Sequence, residues 1–298
     1  MRSIRRAWCC QIELTSKCSM SCLYCSRYSP HLRADQRYDM TLEVLEKALD
    51  SLKDWSKKIG IIGGEPILHS QFAECCKLIR SKIPREQIGL WTSGGKNWDK
   101  YKDLINDTFG FVPYNEHNPE QQKVCRHQRL TVAIKDVIPD EEYRKELISD
   151  CWVQRIWCPT ISMKGAFFCE VAAAQDLLWD GPGGYDIEPN WWRRKPHHFQ
   201  DQVDRYCPNC GMAIPMERDL IQCGIEKMSP TVYAKMVEHN NIRLDMGKNI
   251  ELYNRQMSID EVEKNKLVWY PGNYRGDRRE DSRSCEGRGS TIFRGTKE

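Results

Sequence analysis

Three cysteines, Cys18, Cys22 and Cys25, stand in the stretch KCSMSCLYCSR with three and then two residues between them. Thiolates at these spacings on one loop can converge on a single metal centre. A zinc site normally takes a fourth protein ligand nearby, and none is obvious within the loop. A [4Fe-4S] cluster on three cysteines instead leaves one iron open, which is useful only if something else binds there. A second concentration, Cys151, Cys158, Cys169, Cys207 and Cys210, lies in CWVQRIWCPTISMKGAFFC and CPNCG. A hairpin that brings its ends together sets Cys158 near Cys169, and a CxxCG knuckle offers two sulfurs from one turn. Four of the five would close a tetrathiolate site, for a cluster or for structural zinc.

The compartment decides how such cysteines are read. The chain has 298 residues and 15 cysteines in no evident disulfide pattern. Its N-terminus, MRSIRRAWCCQIELTSKC, is basic but has no apolar signal core, and no later stretch approaches the ~18 apolar residues of a membrane span. We therefore expect a cytoplasmic protein, where grouped cysteines serve metal binding more often than disulfides. The net charge of +3 sets 45 basic against 42 acidic side chains, so no global field calls for nucleic acid. The arginine-rich tail YRGDRREDSRSCEGRGSTIFRGTKE is interleaved with Asp and Glu and reads as a solvated terminus.

The elements that must position these cysteines follow from periodicity. WCCQIEL (8–14), IGII (59–62), QIGLWT (87–92), FGFV (109–112) and RLTVAI (129–134) read as strands. Helices are expected over 41–54, capped by Thr41 and burying Leu42, Leu45, Leu49 and Leu52, and over 70–81, capped by Ser70 and burying Phe72, Cys75, Cys76 and Ile79. Further helices are expected over NWDKYKDLIND and over 139–150, the latter opened by Pro139. Alternating strands and helices imply an α/β fold of parallel strands. After residue 150 the rhythm changes to a hairpin over 160–169, turning at Lys164-Gly165, and then to Pro-, Gly- and Trp-rich connections. Three regions result: 1–150, 151–211 and a helical or irregular extension over 212–298. Cys9, Cys10, Cys75 and Cys76 fall in predicted strand and helix cores and read as buried apolar residues.

The stretch CSMSCLYC resembles the signature of the radical S-adenosylmethionine (SAM) enzymes, down to the aromatic Tyr24 before the last cysteine. A second match, Gly63-Gly64-Glu65-Pro66, follows the second strand, where that family carries a glycine-rich turn. TSGG (92–95) resembles the weaker Thr-Asn-Gly element, with Ser93 in place of Asn. The resemblance implies a partial (β/α)6 TIM-type barrel with the site at the C-terminal ends of its strands. It implies a [4Fe-4S] cluster on Cys18, Cys22 and Cys25, with SAM chelated by the open iron. Tyr24 would lie against adenine, Gly63, Gly64, Glu65 and Pro66 would contact the methionyl amino group, and Thr92 and Ser93 would lie near the ribose. One-electron cleavage of SAM would then give a 5′-deoxyadenosyl radical that abstracts hydrogen from a substrate.

The downstream cysteines are similar to the small twitch module, related to SPASM, in which a cysteine, a Gly-turned hairpin ending in cysteine and a later CxxC hold an auxiliary [4Fe-4S] cluster. Either Cys151 or Cys158 would complete the set with Cys169, Cys207 and Cys210. With 17 residues ahead of the cysteine loop, we expect no leader-peptide recognition domain in front of it. We therefore expect a small-molecule substrate, such as a sugar, aminocyclitol or nucleotide-linked metabolite. Oxidation is expected, with the auxiliary cluster as electron acceptor and a flavodoxin or ferredoxin as external one-electron donor. Epimerisation or rearrangement, peptide modification, and a noncatalytic iron-sulfur or zinc protein are the alternatives. Cys223 is a hydrogen-donor candidate for epimerisation, and Cys285 has no assigned role. Tyr114, Glu116, His117 and His127, in the loop over 112–128, could bind polar substrate groups.

Overall fold

The computed structural model describes residues 3–113, 126–156, 159–216, 219–220, 224–241 and 250–268. β1 (Cys9–Thr15) is buried along its whole length, the mark of a strand covered on both faces. It pairs in parallel with β2 (Lys58–Gly63), which pairs in parallel with β3 (Ile88–Leu90). The helices α1 (Leu42–Ser51), α2 (Phe72–Lys82) and α3 (Trp98–Thr108) follow these strands in turn. The Thr41 hydroxyl caps α1 by accepting the Val44 N–H at 3.2 Å, and Leu45 and Leu49 enter the core. α2 buries the four expected residues, but its cap is Gln71 and not Ser70. The Ser70 N–H is taken by Asp39 at 3.2 Å and the Gln71 N–H by His69 Nδ1 at 3.0 Å, so two side chains from outside the helix fix its entry.

The expected fourth and fifth strands behave differently. Residues 109–112 contribute one parallel bridge, Phe111 to Gly89, with the Gly110 N–H donating to the Ile88 carbonyl at 3.0 Å. Residues 129–134 form no strand and turn into α4 (Ile134–Val137). Their polar groups are satisfied by the late part of the chain: the Thr131 hydroxyl donates to the Lys227 carbonyl at 2.7 Å and the Ala133 N–H to Ser229 Oγ at 2.9 Å. A short apolar run that is fully buried carries no period that separates strand from turn, hence the difference. Just before it, β4 (Arg126–His127) pairs antiparallel with β7 (Asp219–Leu220). α5 (Glu141–Ser149) is capped by Asp140, which accepts the Tyr143 N–H at 2.8 Å, so Pro139 stands before the cap and does not open the helix. α6 (Val153–Ile156) follows.

β5 (Thr160–Ser162) and β6 (Gly165–Phe167) form the expected hairpin, with Met163 and Lys164 as the turn and Gly165 as the first residue of the returning strand. Gly165 has φ +113°, and a Cβ there would lie 2.6 Å from the Tyr185 carbonyl oxygen. β5 also pairs in parallel with β1, so the sheet runs β3-β2-β1-β5-β6 and the hairpin extends the barrel sheet. α7 (Glu170–Leu178), α8 (Gln200–Tyr206) and the 3₁₀ turn Cys207–Asn209 complete this part. Beyond it, β8 (Glu226–Met228) and β9 (Ile250–Leu252) pair in parallel around α9 (Pro230–Glu238). One core runs from Ile4 to Met236 and contains Cys9, Cys10, Cys75 and Cys76, all 0% exposed. The fold is α/β, a partial open barrel of four parallel strands edged by one antiparallel strand. Among the described residues no helix is long and apolar enough to cross a membrane.

Candidate active site

The loop after β1 holds Cys18 and Cys25 half-buried and Cys22 buried. The Met20 N–H donates to Cys18 Sγ at 3.4 Å. Burial pushes the Cys18 thiol up to about 12 against the Met20 amide, and the nearby Cys25 and Glu65 push the same way. Burial also raises Cys25, opposed by the amides of Ser29 and Arg27 and by the Arg27 guanidinium. Buried thiols of this kind stay protonated until a cationic centre draws them to thiolate. Amides directed at a sulfur and a positive charge nearby suit that anionic state, so the donor set fits a cluster. Among the described residues no group of three or more His, Cys, Asp or Glu side chains is gathered around one point at single-ion spacing.

The glycine turn after β2 is stitched to this loop. The Gly64 N–H donates to the Thr15 carbonyl at 2.8 Å and the Glu65 N–H to the Lys17 carbonyl at 2.7 Å. A Cβ on Gly63 would lie 2.3 Å from Thr15 O, and one on Gly64 2.4 Å from Lys17 O, so only glycine admits this approach. Glu65 is 1% exposed and accepts from Thr92 Oγ1 at 2.6 Å and from the Ser93 N–H at 2.8 Å. Pro66 opens the 3₁₀ turn that follows. Gly94 donates to Thr92 Oγ1 at 3.0 Å, and Gly95 reaches the cysteine loop, its Cβ position lying 3.7 Å from Ser19 Oγ. The segments at the C-terminal ends of β1, β2 and β3 therefore meet, as the ends of parallel barrel strands do.

Tyr24 is held by a late segment of the chain. It has φ +51° and is 1% exposed beneath β8. Its N–H donates to Glu226 Oε1 at 3.2 Å, and its hydroxyl accepts the Lys227 N–H at 2.8 Å. The other Glu226 oxygen meets His31 Nε2 at 3.1 Å, and His31 Nδ1 meets Asn241 Oδ1 at 3.0 Å. These partners were missed because about two hundred residues separate them from the loop and no spacing rule links them. His127, expected as a substrate ligand, reaches the Leu23 carbonyl at 2.9 Å. Tyr114, Glu116 and His117 lie outside the described residues.

Of the second cysteine set, Cys151, Cys169, Cys207 and Cys210 line one cavity of about 30 Å³ together with Phe168, Gln175 and Met212. Cys169 is the N-cap residue of α7, and the CxxC knuckle closes with the Cys210 N–H on the Cys207 carbonyl at 3.1 Å. Burial drives Cys207 well up, and the neighbouring Cys169, Cys210 and Cys151 add to it in that order. Cys151 is pushed to about 12 by burial and then by Cys169. Cys158, Cys223 and Cys285 lie outside the described residues.

A family model described as the Radical SAM superfamily matches residues 12–134. The chain is 36% identical over 84 residues to a probable GTP 3′,8-cyclase of Methanocaldococcus jannaschii, covering 28% of each chain. It is 35% identical over 98 residues to the GTP 3′,8-cyclase of Clostridium perfringens strain SM101, covering 32% of this chain and 29% of that one. The match thus spans less than a third of these curated relatives. The crystal structure of BtrN in complex with AdoMet and 2-DOIA superposes with a TM-score of 0.43 at 13% identity, covering 68% of this chain and 92% of that one. The matched segment holds the cysteine loop, the glycine turn and the Thr92–Ser93 element, so the similarity to the radical SAM superfamily falls on the candidate site itself.

Proposed function

We propose that this protein is a radical SAM enzyme acting on a small molecule, with its SAM site on Cys18, Cys22 and Cys25 and a second cluster on Cys151, Cys169, Cys207 and Cys210. The observation that carries the reading is the junction of Gly63, Gly64 and Glu65 with the cysteine loop. Bound there, a [4Fe-4S] cluster and SAM would supply a 5′-deoxyadenosyl radical by one-electron cleavage. The residues of this chain do the positioning. Cys18, Cys22 and Cys25 would hold three irons, and the amides of Ser29 and Arg27 would offset charge on Cys25. Gly63 and Gly64 bring backbone close to the loop, and Glu65 is aimed by Thr92 and Ser93, a fixed carboxylate suited to an ammonium group. Pro66 rigidifies the exit of that turn.

Cys151 supplies the fourth sulfur of the second site, since it shares the cavity with the other three. A closed set of four leaves no open iron, which suits electron transfer and not substrate binding. Oxidation of a sugar, aminocyclitol or nucleotide-linked substrate is the reaction favoured, with a flavodoxin or ferredoxin as donor. The GTP 3′,8-cyclase relatives bear on the nucleotide member of that class, through the matched segment alone. The test is anaerobic reconstitution with iron and sulfide, then an assay for 5′-deoxyadenosine with dithionite and SAM. Wild type should form it with about eight irons per chain, and Cys22→Ala should form none with about four irons left. Normal turnover by Cys22→Ala would refute the site, and one zinc in place of the remaining iron would make the second site a structural knuckle.

A further inference from the structure

Two consecutive residues just after Cys25 are fully buried and join the two cysteine sites. Arg27 is 3% exposed, and its Nη1 donates to Glu13 Oε2 at 2.9 Å and to the Glu170 carbonyl at 3.3 Å. Its Nη2 donates to Gln11 Oε1 at 3.0 Å and to the Glu170 carboxylate. Glu170 follows Cys169 directly, so one guanidinium ties the loop of the first site to the N-terminus of the helix that begins at the second. Next to it, the Tyr28 hydroxyl accepts from Gln175 Nε2 at 3.2 Å, and Gln175 lines the four-cysteine cavity. Gln175 Nε2 also donates to the Asn209 carbonyl at 3.3 Å, inside the CxxC knuckle. Tyr28 holds a left-handed backbone, φ +50°, at 0% exposure, a conformation that tyrosine keeps only under external constraint. Burial and then charge at Cys210 push its hydroxyl well up, with a smaller push from Cys25, which agrees with a ring lying between the two sites.

A buried guanidinium facing two carboxylates is costly to desolvate and is seldom the most stable filling for its volume. Its position, between two sets of cysteines, offers a different reason for it. We infer that the Arg27–Glu170 pair and the Tyr28–Gln175 hydrogen bond couple the two cysteine sites, so that the charge at the bridge sets the electronic state of both. Arg27 and Glu170 are positioning residues in this scheme, because neither touches the reacting atoms. The inference rests on the proposal that both sites hold clusters.

The experiment uses the full chain, reconstituted anaerobically, with iron counted and the midpoint potential of each cluster followed by EPR during a redox titration. Glu170→Gln keeps shape and removes one negative charge, so both midpoints should rise. Arg27→Met removes the positive charge, so both should fall. A variant that retains the wild-type iron and moves only one midpoint, or neither, overturns the inference. If both charged variants fail to fold, Tyr28→Phe, which removes only the hydroxyl, decides it by the same criterion of two moved midpoints against one or none. A wild-type chain that holds about four irons would instead overturn the two-cluster proposal, and the coupling with it, before any variant is compared.

Discussion

At the scale of single residues, the site depends on backbone approach as much as on ligands. Gly64 is the clearest case, because the atom a Cβ would meet at 2.4 Å is a backbone oxygen of the cysteine loop, which cannot rotate away. Gly64→Ala should cost about 1–3 kcal/mol, the range for forced overpacking. Carried into the transition state, the same cost should cut 5′-deoxyadenosine formation by about 5-fold to about 150-fold, at a factor of ten per ~1.4 kcal/mol. Urea unfolding and the cleavage assay on the same sample check both. Glu226 offers a second test. Its carboxylate is 0% exposed and takes the Tyr24 N–H and His31 Nε2, so Glu226→Ala strands buried donors. A loss of about 1–3 kcal/mol is expected, with a smaller loss for Glu226→Gln, measured by thermal unfolding.

At the scale of elements, Asp39 ties β1, the cysteine loop and the start of α2 together. Its oxygens accept from Thr15 Oγ1 at 2.7 Å, Lys17 Nζ at 2.6 Å and the Ser70 N–H at 3.2 Å. Burial alone would raise its carboxyl, but these donors outweigh it and hold it at about 2, below the ordinary 3.8. A carboxylate held low in the folded chain stabilises it above the unfolded value and loses that contribution as pH falls through the folded one. Thermal stability should therefore drop between roughly pH 4 and pH 2 in wild type, and the drop should be shallower in Asp39→Asn. An identical acid profile in the two proteins would show that the tie carries no net stability. The packing of α2 also shows how element boundaries are set: its buried face was legible from Phe72, Cys75, Cys76 and Ile79, whereas its cap was set by Asp39 and His69 from outside.

At the scale of the whole molecule, the hairpin joins the barrel sheet on one side while its far end carries Cys169 into the four-cysteine cavity. Metal at the second site would hold α7, α8 and the CxxC turn together, because binding energy at such a site is also folding energy. Removing it with a chelator should therefore raise amide exchange over 169–212 while the strands β1, β2 and β3 keep their protection. Hydrogen exchange by mass spectrometry reads this directly. Equal loss across the sheet would mean that the second site supports the entire fold and not its edge.

What the sequence determined by itself was local. The spacing of Cys18, Cys22 and Cys25, the glycines that follow β2 and the apolar faces of α1 and α2 are short-range facts, each fixed by a few neighbouring residues and by the geometry of one element. The strand order, the placement of Tyr24 and the fate of 129–134 are not. β5 lies beside β1 across about 150 residues, Tyr24 is covered by Glu226 and Lys227, and the apolar run at 130–134 is satisfied by Lys227 and Ser229 and not by a ladder. That Cys151 lines the second cavity beside Cys169, Cys207 and Cys210 also came from folding alone, since CxxC spacing brings two sulfurs together and leaves the others to whatever the chain brings alongside. Local propensity and motif chemistry decide which residues can act, but a buried polar group accepts any partner that reaches it, and only the packed chain selects which one does.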